Sequence, residues 1–259
     1  MPVTGRAALA MLAAATLAVS GATAAPAATS EPPDSLRALG AQLYAANCSS
    51  CHGIGGAGKR TPGQVSGALG IAGIGPSLHG VGALAADFYL RTGYMPLRSP
   101  FTQPRRSRVL FSEREIRALV AYVASLGTGP AVPRPDPAAG SVAAGFTLFT
   151  QDCAGCHQVA AAGGYLPDSV APPLYDATPT QIAEAVRIGP NVMPRFSKKR
   201  LSDRDLDSVI AYVGYAGRPD DRGGWSLGHV GPVPEGLIAW FIAGVVLVGV
   251  TLTAGSRLR

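Results

Sequence analysis

The residues best suited to hold a metal or bond a cofactor are scarce here: 259 residues include four cysteines, four histidines and four methionines. Four cysteines permit two disulfides at most. Charge is scarce too, at 15% of residues, beside 33 glycines and 22 prolines. That balance suits compact helices joined by rigid, irregular loops and excludes a sheet-dominated fold; no segment shows sustained strand alternation. Aromatics make up only 7%. Among Arg98, Arg105, Arg106 and Arg108, and among Arg195, Lys198, Lys199 and Arg200, only Phe101 and Phe196 intervene. So few rings make no base-stacking platform, and nucleic acid is not an expected partner. The formal net charge of +6 fits an anionic membrane surface or an acidic protein, and charge alone does not choose.

What the chain does have is uncharged sequence at both ends. Ala7–Val19 is apolar, preceded by Arg6 and followed by the small-residue run SGATAAPAA. This is the layout of a secretory signal with a cut after Ala24; residues 1–30 read as a signal peptide or, uncleaved, an N-terminal anchor. Gly236–Ser256, GLIAWFIAGVVLVGVTLTAGS, has no charge. As a helix it would reach about 30 Å, the hydrocarbon thickness of a bilayer. Arg257 and Arg259 follow it. Arginines there predict a cytoplasmic C-terminus, with the residues before Glu235 on the outer side of the cell membrane.

Between the ends the chain repeats itself. GAQLYAANCSSCHG (Gly40–Gly53) matches GFTLFTQDCAGCHQ (Gly145–Gln158), and GPSL (Gly75–Leu78) matches APPL (Ala171–Leu174). TGYMP (Thr92–Pro96) matches the end of GPNVMP (Gly189–Pro194), and SEREIRALVAYVASL (Ser112–Leu126) matches SDRDLDSVIAYVGYA (Ser202–Ala216). Four blocks in one order predict two homologous units, 34–127 and 141–217. The proline-rich stretch 128–140 between them reads as an extended spacer. Residues 218–235 form a juxtamembrane segment and 236–256 a transmembrane helix. Ser112 with Glu115 forms a capping box ahead of the apolar stripe Ile116, Leu119, Val120 and Val123. Ser202 and Asp205 are its shorter counterpart. Thr178, Pro179 and Gly189 bracket another helix.

All four cysteines and two histidines fall into two C-x-x-C-H motifs, at Cys48, Cys51, His52 and at Cys153, Cys156, His157. In an exported chain two disulfides are one reading, and a redox pair or a shared four-thiolate zinc another. Neither needs the adjoining histidine. The motif is a specific signal for covalent c-type haem, whose two vinyl groups take the thiols while the histidine lies beneath the iron. Beyond the export segment, which holds Met1 and Met11, the methionines are Met95 and Met193, one per repeat and each before a proline. Their matching places make them the expected axial partners of His52 and His157. His79 has no counterpart in the second repeat, where Tyr175 stands, and His229 adjoins the span; both read as non-ligands. GIGGAGKR (Gly53–Arg60) nearly matches a phosphate-binding loop, but Arg60 ends it and no strand precedes it, so no nucleotide is expected. The basic stretches read as solvated loops or as contacts to haem propionates and acidic partners.

Each repeat resembles a class I cytochrome c. An N-terminal helix carries Gly40 and Tyr44, or Gly145 and Phe149. After C-x-x-C-H come a proline turn, a methionine loop and a closing helix with Tyr122 or Tyr212. In that family the turn proline, here Pro76 and Pro172, offers its carbonyl to the other nitrogen of the haem histidine. Two such units followed by GGWSLGHVGPVPEG and one span are similar to the di-haem cytochrome c subunit of the actinobacterial-type cytochrome bc1 complex, from about Leu36 onward. The resemblance implies an all-α fold of two tandem class I cytochrome c domains plus a C-terminal transmembrane helix. It implies two covalently attached haem c groups in a quinol–cytochrome c reductase. It also implies a cytochrome b subunit, a Rieske iron–sulfur subunit and an aa3-type cytochrome c oxidase as partners. The competing readings are a membrane cytochrome serving another dehydrogenase or oxidase, and a di-haem peroxidase.

Overall fold

The computed structural model describes residues 32–59, 74–99, 104–167, 169–218 and 232–257. The export segment 1–30, Arg60, Phe101, residues 219–231 with His229, and Arg259 lie outside the described residues. The first repeat comprises α1 (Pro33–Asn47), α2 (Ser49–His52), α3 (Gly82–Arg91) and α4 (Glu113–Ser125). The second comprises α5 (Val142–Asp152), α6 (Ala154–His157), a hairpin β1 (Gly164–Leu166) and β2 (Ser169–Ala171), α7 (Pro179–Ile188) and α8 (Asp203–Gly217). A last helix, α9, covers Pro232–Arg257.

In each repeat the first and last helices cross at a glycine. A Cβ on Gly40 would overlap the Ala118 carbonyl oxygen and lie 2.8 Å from Tyr122 Cβ. On Gly145 it would overlap the Ser208 carbonyl oxygen and lie 2.9 Å from Tyr212 Cβ. Only a bare Cα lets the backbones approach so closely. Aromatic pairs close the crossings, Tyr44 against Tyr122 at 5.0 Å and Phe149 against Tyr212 at 5.3 Å between ring centres. Tyr44, Leu90, Ile116 and Leu119 are buried around the first crossing; Phe149, Leu206, Val209 and Val213 around the second.

The capping signals in the sequence coincide with the helix starts. Ser112 and Glu115 close a reciprocal box, and so do Ser202 with Asp205 and Thr178 with Gln181. Gly189 ends α7 in the left-handed region at φ 68°. Helix α3 has no such signals: it follows Val81, which offers no side-chain cap, and begins on glycine. It is legible only as the counterpart of α7. The hairpin escapes sequence reading because three-residue strands are too short to show a period of two.

The stretch 128–140 has no regular structure up to Asp136, closes in a 3-10 turn at Pro137–Ala139, and does not hang free. The Leu84 N–H donates to the Pro130 carbonyl at 3.1 Å, tying the linker to α3. At its other end the Asp136 N–H donates to Asp207 Oδ1 at 2.8 Å and the Ser141 N–H to Ser208 Oγ at 3.1 Å, both on α8. The spacer is therefore a strap bonded to both repeats. Helix α9 contains an apolar run, Gly236–Arg257, whose side chains are exposed. Its 22 residues reach about 33 Å, enough to cross a bilayer.

Candidate cofactor sites

Both cysteine motifs wind into one helical turn. The His52 N–H donates to the Cys48 carbonyl at 2.9 Å and the His157 N–H to the Cys153 carbonyl at 3.0 Å. Residues i, i+3 and i+4 share a helix face, so each turn presents two thiols and an imidazole together. Preceding helices fix the turns: the Cys48 N–H donates to Tyr44, and the Cys153 N–H to Phe149. All four thiols are free. Burial pushes Cys48 and Cys153 up to about 11, so both are neutral thiols at pH 7. Among the described residues no group of three or more Cys, His, Asp or Glu gathers as a metal site. The shared four-thiolate reading lacks the geometry it requires.

Each histidine meets its proline. His52 Nδ1 lies 2.9 Å from the Pro76 carbonyl oxygen, and His157 Nδ1 lies 3.1 Å from that of Pro172. A carbonyl only accepts, so the proton belongs on Nδ1 and Nε2 keeps its lone pair. Burial lowers the pKa of His157 and outweighs the opposing effect of the Pro172 bond, which favours the neutral ring.

In the second repeat these groups open onto one crevice that is partly open to solvent. Cys153, Cys156, His157, Pro172 and Met193 line it, with Phe149, Leu174 and Val209 supplying apolar wall. The Met193 loop is pinned from below. Arg187, at the end of α7, donates to the Phe196 carbonyl at 3.2 Å and the Leu201 carbonyl at 2.8 Å. Met95, in the first repeat, is half-buried and donates its N–H to the Tyr89 carbonyl at 3.0 Å.

The loops after the histidines serve as scaffolding. In the Gly53–Lys59 loop the Gly53 carbonyl accepts from Tyr44 Oη at 2.7 Å and the Gly56 carbonyl from the Leu78 N–H at 2.8 Å. His79 Nε2 bonds the Gly55 carbonyl at 2.9 Å, and Tyr175 Oη donates to the Ala160 carbonyl at 2.5 Å. Both acceptors stand three residues after a motif histidine, so His79 and Tyr175 perform one job in their repeats.

Sequence reasoning missed how far the first repeat reaches into the second site. Phe88, Thr92, Tyr94 and Arg106 line the second crevice. Arg106 belongs to a basic stretch the sequence had flagged; Phe88 and Tyr94 carried no signal, since repeat matching treats each unit alone.

The donor set fits haem c in the second repeat: two thiols, an imidazole with Nε2 free, a thioether and a largely apolar slot. Cytochrome c folds that attach haem covalently are the class this architecture and these motifs define, and two such haems are its cofactors. The comparisons agree. Residues 37–127 match the family model for cytochrome c, and residues 140–213 that for cytochrome c oxidase, cbb3-type, subunit III. The chain is 37% identical over 239 residues to the cytochrome bc1 complex cytochrome c subunit of Mycobacterium tuberculosis, covering 88% of this chain and 80% of the relative. It is 34% identical over 238 residues to the subunit of the same name from Corynebacterium diphtheriae, covering 84% and 80%. A cbb3-type cytochrome c oxidase subunit CcoP from an Azospirillum strain is 30% identical over 194 residues, covering 67% and 60%. The chain belongs to the family of cytochrome bc1 complex cytochrome c subunits, and it carries electrons.

Proposed function

We propose that this chain relays electrons through two haems within a membrane-bound quinol–cytochrome c reductase. Its two cytochrome units are 34–127 and 141–217. Haem, once bound, supplies a reversible one-electron couple; the protein's own groups hold it and set its electronics. In this reading Cys48 and Cys51, and Cys153 and Cys156, form the thioether bonds. His52 and His157 donate Nε2 to the irons, and Pro76 and Pro172 hold the rings in that orientation. Met95 and Met193 would each give an iron its second protein ligand, a soft thioether that favours the ferrous state and raises the potential. The convergence of Cys153, Cys156, His157 and Met193 on one crevice carries the assignment. Met95 follows from its matching place in the first repeat.

Electrons enter from a Rieske centre held beside a cytochrome b subunit and leave for an aa3-type oxidase. The haem units lie on the outer face of the membrane and the C-terminus on the cytoplasmic face, on the arginine rule. The first test is a haemochrome assay: two haems c per chain in the wild type, one each in Cys51→Ser and Cys156→Ser. Carbon monoxide then tests the sixth positions. The reduced protein should bind it poorly, and Met193→Ala or Met95→Ala should each open one haem to it. Ready binding by the unaltered protein would favour a peroxidase.

A second reading has a specific observation behind it. The cbb3-type match to residues 140–213 fits a cytochrome that serves another oxidase directly. Gentle detergent extraction separates the two: cytochrome b and Rieske polypeptides copurify in the first case and are absent in the second.

A further inference from the structure

A fully buried glutamate lies where the two repeats meet. Glu184, on α7, has 0% exposure, and neither of its carboxyl oxygens has a hydrogen-bond partner among the described residues. Counting back from Arg91 and Arg187, it occupies the place held by Phe88 in α3, an apolar position in the shared fold. The charged groups facing it come from α3: the buried Asp87 and, behind it, Arg91. Arg91 donates Nε–H to both Asp87 oxygens, at 2.9 and 2.8 Å, and reaches Glu113 at the start of α4. Arg187 of α7 and Lys198 are taken up by Asp203 of α8.

One cation, Arg91, thus already serves two carboxylates. An ionised Glu184 would add a third with no donor, the least favourable state for a buried acid. A protonated Glu184 has an O–H to give, and Asp87 can accept it. Burial first, and then the Asp87 charge, push Glu184 up to about 8. The residues next to this pair, Phe88 and Ala185, both line the second cofactor crevice.

We propose that Glu184 and Asp87 form a proton-binding site, in which one proton shared between the carboxyls joins the two repeats and is held more tightly when the second haem is reduced. The inference rests on the second repeat holding its haem. An added electron makes that crevice more negative and favours uptake of one proton from solvent by the carboxyl pair. Oxidation returns the proton. Only an O–H bond forms or breaks.

Redox titration of the purified full-length chain tests this. Burial and the Asp87 charge hold the Glu184 carboxyl up at about 8, so the midpoint of the second haem should be level at lower pH and fall in the alkaline range. Roughly a fivefold change in its reduction equilibrium constant is expected across the fall, the low end of ordinary site coupling. In Glu184→Gln an amide donates to Asp87 at every pH, so the fall should vanish. The first haem serves as the internal control and should respond to neither change. A level wild-type midpoint, or an equal slope in Glu184→Gln, would overturn the proposal. If that variant fails to assemble, the redox-difference infrared spectrum of the wild type decides, since a proton-linked site must give a carboxylic-acid signal and its absence refutes the site. A second repeat without haem would already read as one haem per chain before any titration, so the two failures are distinguishable.

Discussion

Arg91 and Arg187 stand at matching places, in the last turns of α3 and α7, and each clamps the first acid of the helix that closes its repeat. Arg91 pairs with Glu113, and Arg187 with Asp203 at 2.8 Å. Beyond that shared bond they part. Arg91 turns its Nε–H to Asp87 and so to the boundary between the repeats, whereas Arg187 holds the two carbonyls that flank the end of the Met193 loop. A duplicated fold has kept the clamp and diverted the remaining donors, in one copy toward the neighbour and in the other toward its own cofactor loop. The difference goes with the first copy's contribution of Phe88, Thr92, Tyr94 and Arg106 to the wall of the second site.

The helix crossings are where the copies should agree most. Gly145→Ala and Gly40→Ala each drive a methyl group into a carbonyl of the partner helix, and rigid backbone on both sides leaves it nowhere to go. Each should destabilise its repeat by about 3 kcal/mol, at the upper end for overpacking. Gly214→Ala, on α8 with nothing within 4 Å, is the control and should be neutral or slightly stabilising. Thermal unfolding followed by helical circular dichroism measures all three; a tolerated Gly145→Ala would break the parallel between the crossings.

The arginines are where the copies should differ. Arg187→Met removes two charge-assisted bonds to loop carbonyls and an ion pair, for a loss of about 2 kcal/mol. Because the Phe196 carbonyl lies three residues past Met193, the same variant should weaken the near-infrared sulfur-to-iron band of the second haem alone. Arg91→Met should spare both methionine bands, since its bonds go to carboxylates. Equal spectra from the two variants would erase the distinction.

Much of this was legible beforehand, for identifiable reasons. The cysteine motifs could be read because covalent haem attachment fixes two thiols and a histidine at one spacing, and the caps because Ser112, Thr178 and Ser202 each act within four residues; the choice of Met95 and Met193 rests on their matching places in the repeats. The prolines facing His52 and His157 came from resemblance to a family, since a bond spanning 24 or 15 residues leaves no local trace. What stayed hidden is the encounter between the copies. Glu184 in QIAEAV and Asp87 in AADFYL interrupt apolar stripes, a signal of burial, but nothing in either stretch says that they face each other. The contacts of the strap stayed hidden for a related reason: proline content reports stiffness and is silent about what a stiff segment lies against.

Between these extremes are the two bonds to the loop after the motif histidine. Tyr175→Phe and His79→Phe each orphan one carbonyl, of Ala160 and Gly55, for about 1 kcal/mol. Equal losses in urea unfolding would establish that a phenol and an imidazole are interchangeable there. A much larger loss for His79→Phe, with a changed visible spectrum, would show that His79 serves the first haem directly.

The smallest effect concerns the caps and separates the copies by acid titration. Ser112→Ala and Ser202→Ala should each cost about 1 kcal/mol, the usual worth of a serine N-cap. Glu115 accepts from both the Ser112 N–H and its hydroxyl at 2.7 Å, and these bonds hold its carboxyl below the ordinary value. A carboxyl with a depressed folded pKa stabilises fully above its unfolded pKa, and that contribution is lost as pH falls through the folded one. Glu115→Gln keeps an acceptor but cannot titrate, so below about pH 4, near the free glutamate value, its stability should converge on that of the wild type. Asp203 lies under the same rule through Lys198 and Arg187, so Asp203→Asn should show the same convergence in the second repeat. Stability curves for the two variants that stay parallel to the wild type through acid pH would mean that the native carboxyls titrate as free groups, and the cap bond and the clamp would both have to be redrawn.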